Sequence, residues 1–141
     1  MLHKRVLITF WLAFASVAAV AQELPGEPTA LDERSIFLKL RPSYQPCLDD
    51  ASGMPAMIRC NQGEYTYQDK RLNATYKKLA LTLDQTKRDA LVKEERAWIA
   101  LKEKDCAIPD DAGQGAMLDA VTCSVTYTAR RAAVLEGRLK K

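Results

Sequence analysis

Residues 94–106 read EERAWIALKEKDC and gather four carboxylates, three basic side chains, a tryptophan and a cysteine. Carboxylates in pairs are the chemistry of glycoside hydrolysis, which needs two of them about 5–9.5 Å apart across a sugar-binding cleft. Helical spacing separates this cluster instead. Glu95, Trp98, Lys102 and Cys106 recur on one face, whereas Glu94, Glu103 and Lys104 fall off it and are expected in solvent. A slender helical bundle also offers little cleft, so no catalytic residue is assigned and the chain is read as a non-enzyme.

Nucleophilic and metal chemistry are limited by an N-terminal leader. MLHKR is a short basic region, VLITFWLAFASVAAV is apolar, and Ala19-Val20-Ala21 fits a small-x-small cleavage pattern. The apolar run is shorter than the ~18–20 residues a membrane span needs, and cleavage is expected after Ala21. No cysteine follows at the position a lipid anchor requires. The expected product has 120 residues, one compact domain in size, with 19 basic against 18 acidic side chains and a net charge of +1 in place of +3. Its destination is the periplasm or the medium. So small a charge excess does not suggest nucleic-acid binding. The single histidine, His3, leaves with the leader, which removes Ser-His-Asp, Cys-His and His-ligated metal arrangements. No cofactor is expected.

Four cysteines, Cys47, Cys60, Cys106 and Cys123, form an even set in an exported chain and read as two disulfides. Their separations of 13, 46 and 17 contain no C-x-x-C, against a zinc site. The local pairs Cys47–Cys60 and Cys106–Cys123 are favoured. A Cys60–Cys106 pairing stays open, because ideal antiparallel packing sets Cys123 below the level of Cys106.

These side chains need elements to position them. Residues 22–53 are rich in proline and loop-forming residues and are expected to be an extended arm and loop; SIFLKL within it is either a strand or a helical turn. A helical domain is expected over 54–141. Its first helix opens with Pro55 in the first turn and turns Ile58, Gln62, Tyr65, Asp69, Leu72, Tyr76, Leu79 and Leu83 to one face. Gly63 weakens its first half by about 1 kcal/mol relative to alanine. Asp84 or Thr86 caps the second helix, whose face is Leu91, Glu95, Trp98, Lys102 and Cys106. A break over 108–115 precedes a third, with Met117, Val121, Val125, Thr128, Ala132, Leu135 and Leu139 on one side. The fold class is therefore all-α: a three-helix bundle, made of a helical hairpin plus a third helix, with a loop-rich arm and two disulfides. A turn over residues 84–87 sets Asp69 level with Lys102, Asn73 with Trp98, and Tyr76 with Glu95. It predicts an Asp69–Lys102 ion pair and a Tyr76–Glu95 hydrogen bond, since an unpaired buried charge is costly. The sequon at Asn73 lies on a helix and reads as coincidence.

CNQGEYTYQDKRLNATYKKL, then LVKEERAWIALKEKDC, then a cysteine on the last helix resembles the LprI-type lysozyme-inhibitor family of exported bacterial domains. The family pattern falls on Cys60, Asp69, Leu72, Asn73, Tyr76, Trp98, Cys106 and Cys123, and the resemblance spans about residues 45–136. Glu95 stands where glutamine is usual, Lys102 where arginine is usual and Glu103 where aspartate is usual. Lys102 keeps the charge but loses the bidentate fork. The resemblance implies lysozyme as a partner. The motif residues themselves read as core and hairpin determinants.

The hairpin also sorts the charges. Asp49, Asp50, Asp105, Asp110, Asp111 and Asp119 collect at one end; Lys77, Lys78, Lys87, Arg88, Arg138, Lys140 and Lys141 collect at the other. Animal-type lysozymes are strongly basic, so Asp49, Asp50, Asp110, Asp111 and Asp119 are the candidate partner-binding residues, with the loop 109–115 obstructing the glycan cleft. The competing reading is a non-enzymatic envelope accessory module that uses the basic end toward lipid headgroups, wall polymers or an acidic protein.

Overall fold

The computed structural model describes residues 38–113 and 115–140; the leader and residues 22–37 of the arm lie outside them. Within the described residues every regular element is a helix: α1 Tyr44–Asp49, α2 Met54–Thr82, α3 Gln85–Asp105 and α4 Ala116–Leu139. No helix among them is long and apolar enough to cross a membrane. Disulfides join Cys47 to Cys60 and Cys106 to Cys123, the two local pairs.

The start of α2 and the turn from α2 to α3 have local causes. Gly53, at φ 94°, turns the chain into α2, and Pro55 stands in the first turn, where its missing N–H costs nothing. Leu83 and Asp84 are extended and reverse the chain in two residues. The Asp84 carboxylate then caps α3 by accepting from the Lys87 N–H at 2.8 Å.

The reversal decides the hairpin register. It centres on Leu83-Asp84, two residues earlier than the expected turn, so each α3 residue sits opposite an α2 residue one helical turn nearer the N-terminus. Lys102 accordingly meets Tyr65 and not Asp69: its ammonium lies 3.4 Å from the Tyr65 hydroxyl and over the rings of Tyr65 and Trp98, at 5.5 and 5.6 Å. Asp69 instead accepts from Asn73 on its own helix at 3.0 Å. Glu95 turns away from α2 altogether and accepts from Arg131 of α4 at 2.6 Å. The expected Asp69–Lys102 and Tyr76–Glu95 pairs are thus replaced.

α2 and α4 run in the same direction and pack closest together. Arg71 on α2 holds Glu136 on α4 through Nε at 2.7 Å and Nη2 at 2.9 Å, which fixes their stagger. Ala129 and Ala132 are fully buried on α4 and let the two backbones approach. Leu72, Leu79, Leu91, Ala132 and Leu135 form the core, with Tyr76, Ala80, Leu83 and Trp98 packed around it. Leu135 is entirely buried, worth about 1.5–3 kcal/mol in transfer free energy. Two ends of the expected α4 face are exposed, Met117 where α4 runs past the end of α3 and Leu139 in the last turn of α4.

The first half of α2 departs further from expectation. Beside the disulfide-bonded Cys60, its buried residues are Asn61, Glu64 and Gln68, not Ile58, Gln62, Tyr65 and Asp69. The partners come from the segment expected as loop, RPSYQPCLDDASG, which forms α1 and docks on α2. Arg41 donates its backbone N–H to Glu64 at 3.1 Å and its Nε at 2.8 Å; Tyr44 donates to Asn61 at 2.7 Å. Gln68 bridges Glu64 and the Lys39 carbonyl, at 2.7 and 2.8 Å. Burial pushes the Glu64 carboxyl up, but the hydrogen bonds from Arg41 and Gln68 outweigh it and hold it below its ordinary value. Burial and the nearby Glu64 charge raise the Tyr44 phenol.

Candidate partner-binding surface

The surface at the disulfide end of the bundle is built by the end of α3, the loop after it and the first two turns of α4. Cys123 lies two turns inside α4, so its bond to Cys106, with Cα atoms 5.5 Å apart, leaves the start of α4 projecting beyond the end of α3. The connecting loop folds back over that projection. It is held by backbone bonds from Ala112 to Pro109 at 3.0 Å and from Ala116 to Gly113 at 3.1 Å. A hollow of about 290 Å³ remains beneath it, lined by Asp105, Cys106, Ala107, Pro109, Ala112, Ala116, Asp119, Ala120 and Cys123.

The acidic residues divide over this surface. Asp105 and Asp119 line the hollow, and Asp110 and Asp111 stand exposed on the loop above it. Asp119 sits in the first turn of α4, where the helix N-terminus favours a negative charge. Asp105 is at the opposite, unfavourable end of α3 and accepts a hydrogen bond from the Tyr127 hydroxyl. Asp49 and Asp50 are exposed at the end of α1, beside the second disulfide but outside the hollow; Gln45 donates to Asp49 at 2.8 Å. Hairpin register and the α2–α4 stagger bring Cys60, Cys106 and Cys123 to one level of the bundle.

Sequence reasoning passed over two apolar members of this surface. Ile108 is 49% exposed and Met117 is 55% exposed, flanking the loop among the carboxylates. Spacing alone places Met117 on the core face; the overhang of α4 frees it. Among the described residues no group of histidine, cysteine or carboxylate side chains is arranged to hold a metal ion.

The motif residues lie elsewhere. Leu72 is core, Tyr76 and Trp98 pack against it, Lys102 fills the space between Tyr65 and Trp98, and Asp69 and Asn73 bond to one another. Glu94 was expected in solvent but is half-buried, bonded by Arg131 at 2.8 Å and by Arg138. Burial raises the Glu94 carboxyl, and the hydrogen bonds from Arg138 and Arg131 more than reverse that, leaving it below its ordinary value. Glu103 and Lys104 are exposed as expected.

No curated protein and no solved structure matches the chain. The family model described as lysozyme inhibitor LprI matches residues 47–135, well over half of the sequence and all four cysteines. The chain belongs to the LprI lysozyme-inhibitor family.

Proposed function

We propose that the chain is an exported lysozyme inhibitor that docks a basic lysozyme through its acidic end and blocks the glycan cleft sterically with the loop 109–115. The observation that carries this reading is the disulfide-fixed loop. It presents Asp110 and Asp111 with exposed Ile108 and Met117 beside them, an apolar anchor with an anionic surround. Asp49, Asp50 and Asp119 extend the anionic field around it. Opposite charge accelerates and orients the encounter more than it sets affinity, while the apolar pair supplies area that leaves water on binding.

Inhibition in this reading needs no catalysis. A glycosidase acid must have its pKa raised, whereas Glu94 is held low by two arginines and Glu95 is bonded by Arg131. The alternative is a non-enzymatic envelope accessory module. Titrating the purified protein into lysozyme assays with several lysozyme types separates the two. An inhibitor lowers activity near one-to-one ratios, and the Asp110→Ser/Asp111→Ser variant inhibits less well, most visibly at low salt. Full lysozyme activity at tenfold molar excess refutes inhibition; undiminished inhibition by the double variant removes this surface.

A further inference from the structure

The outer face of α2 has a composition that the near-neutral chain conceals. Its exposed residues run from Pro55 to Thr82, and not one is acidic. Four are cationic: Arg59, Lys70, Lys77 and Lys78. Of the acids of α2, Glu64 is buried, and Asp69 is half-buried at the edge of this face, bonded to the exposed Asn73. None of the four cations reaches a carboxylate or a hydrogen-bond partner among the described residues. Several cations elsewhere are paired, Arg41 with Glu64, Lys39 and Arg71 with Glu136, and Arg131 and Arg138 with Glu94, whereas exposed Lys93, Arg96 and Lys104 of α3 are not among the described residues; what sets α2 apart is that no acidic side chain is exposed among its cations. The face is also not purely polar. Tyr67 is 44% exposed, and Leu81, one turn beyond Lys77 and Lys78, is 82% exposed, the most exposed large apolar side chain described.

At 1.5 Å per residue the stretch from Arg59 to Leu81 is roughly 33 Å long. Exposed cations recur along that length, so an anionic surface can meet the face at both ends. From these observations we infer that the outer face of α2 docks on an anionic lipid bilayer, with Lys70, Lys77 and Lys78 on the headgroups and Leu81 inserted among them. Leu81 decides between anionic partners. A soluble polyanion gains nothing from a bare leucine beside its charges, whereas a bilayer interface takes up both. Lysine stems are suited to this arrangement, lying against apolar groups while the ammonium stays with the phosphates. The membrane inference does not depend on the lysozyme reading, because it uses none of the same residues.

The test is co-sedimentation of the protein, purified from a host that exports it, with vesicles of phosphatidylcholine alone and with one-third phosphatidylglycerol. Binding is expected to the anionic vesicles only and to weaken steeply with salt. Lys70→Glu/Lys77→Glu/Lys78→Glu should reduce the partition coefficient at least tenfold, and Leu81→Ser severalfold at unchanged charge. All four positions are solvent-exposed, so circular dichroism should register no loss of helix. Absence of binding, equal binding to neutral vesicles, or an unchanged partition coefficient in the triple variant overturns the inference. So does a Leu81→Ser variant that binds like the parent, which would assign the face to a soluble polyanion.

Discussion

Arg131 is the residue whose removal the structure makes most consequential. Its side chain is 3% exposed, and its guanidinium holds Glu95 through Nε and Nη2, at 3.0 and 2.6 Å, and Glu94 at 2.8 Å. Arg131→Met keeps the side chain's length and apolar stem but leaves Glu95, whose side chain is only 14% exposed, without its cation. Removing one partner of a buried pair costs about 3–5 kcal/mol. The low end applies, because Glu94 keeps Arg138 at 2.8 Å and both glutamates retain some access to water. A loss of about 3 kcal/mol in a domain of this size lowers Tm by roughly 12–15 °C. The assay is a urea or thermal melt followed by circular dichroism, with Glu95→Gln as the second arm of a double-mutant cycle. Much of the cost is the stranded carboxylate, so Glu95→Gln should recover at least about 1 kcal/mol when added to Arg131→Met. Arg131→Lys should fall between, since it keeps the charge and loses the fork. An Arg131→Met variant within about 0.5 kcal/mol of the parent, or strictly additive single effects, would refute the claim that this cation neutralises α3 from α4.

The ion cluster at Glu136 makes stability depend on pH. Hydrogen bonding by Arg71 is the largest influence on Glu136 and outweighs burial; with Lys39 it takes the pKa from 4.5 down to about 2. A depressed pKa stabilises the folded state above the unfolded value near 4.5, and that contribution disappears as pH falls toward 2. Urea midpoints of the parent should therefore fall across this window by more than those of Glu136→Gln; parallel pH profiles would dismiss the link. Opening Cys106–Cys123 by a double serine substitution should cost about 3 kcal/mol in the chain-entropy account. If the acidic loop is the docking element, inhibition should also weaken at temperatures where the helices remain folded, and unchanged inhibition would detach the loop from function.

Much of the fold was legible because the informative signals were local. Pro55 in a first turn, Asp84 as a cap and the loop chemistry of 108–115 each act within a few residues, and the helices begin and end beside them. Both disulfides join cysteines fewer than twenty residues apart. Errors arose where burial is polar. Periodicity reasoning seeks apolar side chains, and α2 buries Asn61, Glu64 and Gln68 against partners contributed by residues 39–44. Taken by itself, the segment 41–53 that carries Arg41 and Tyr44 looks like a loop: two prolines, then Asp-Asp and Ser-Gly. Only its docking explains why a six-residue helix, too short to persist alone, is present there.

The surface residues divide in the same way. The acidic content of the disulfide end could be listed from hairpin logic, but the exposure of Ile108 and Met117 depends on α4 running past α3. The charge asymmetry of α2 is hidden in a sequence where cations and anions nearly balance. It emerges once burial removes Glu64 and half-buries Asp69, which leaves four cations and no acid among the exposed residues of α2. For EERAWIALKEKDC, sequence alone determined that the segment is one helix, with Trp98 and Cys106 facing inward and Glu103 and Lys104 outward. Tertiary structure decided where its charges go. A turn two residues earlier moved Lys102 from Asp69 to Tyr65, and the neighbouring α4 supplied Arg131 and Arg138 for Glu94 and Glu95. Helix identity follows from contacts within a few residues along the chain; a buried charge is settled by whichever opposite charge packing brings within 3 Å, and that partner here lies more than thirty residues away.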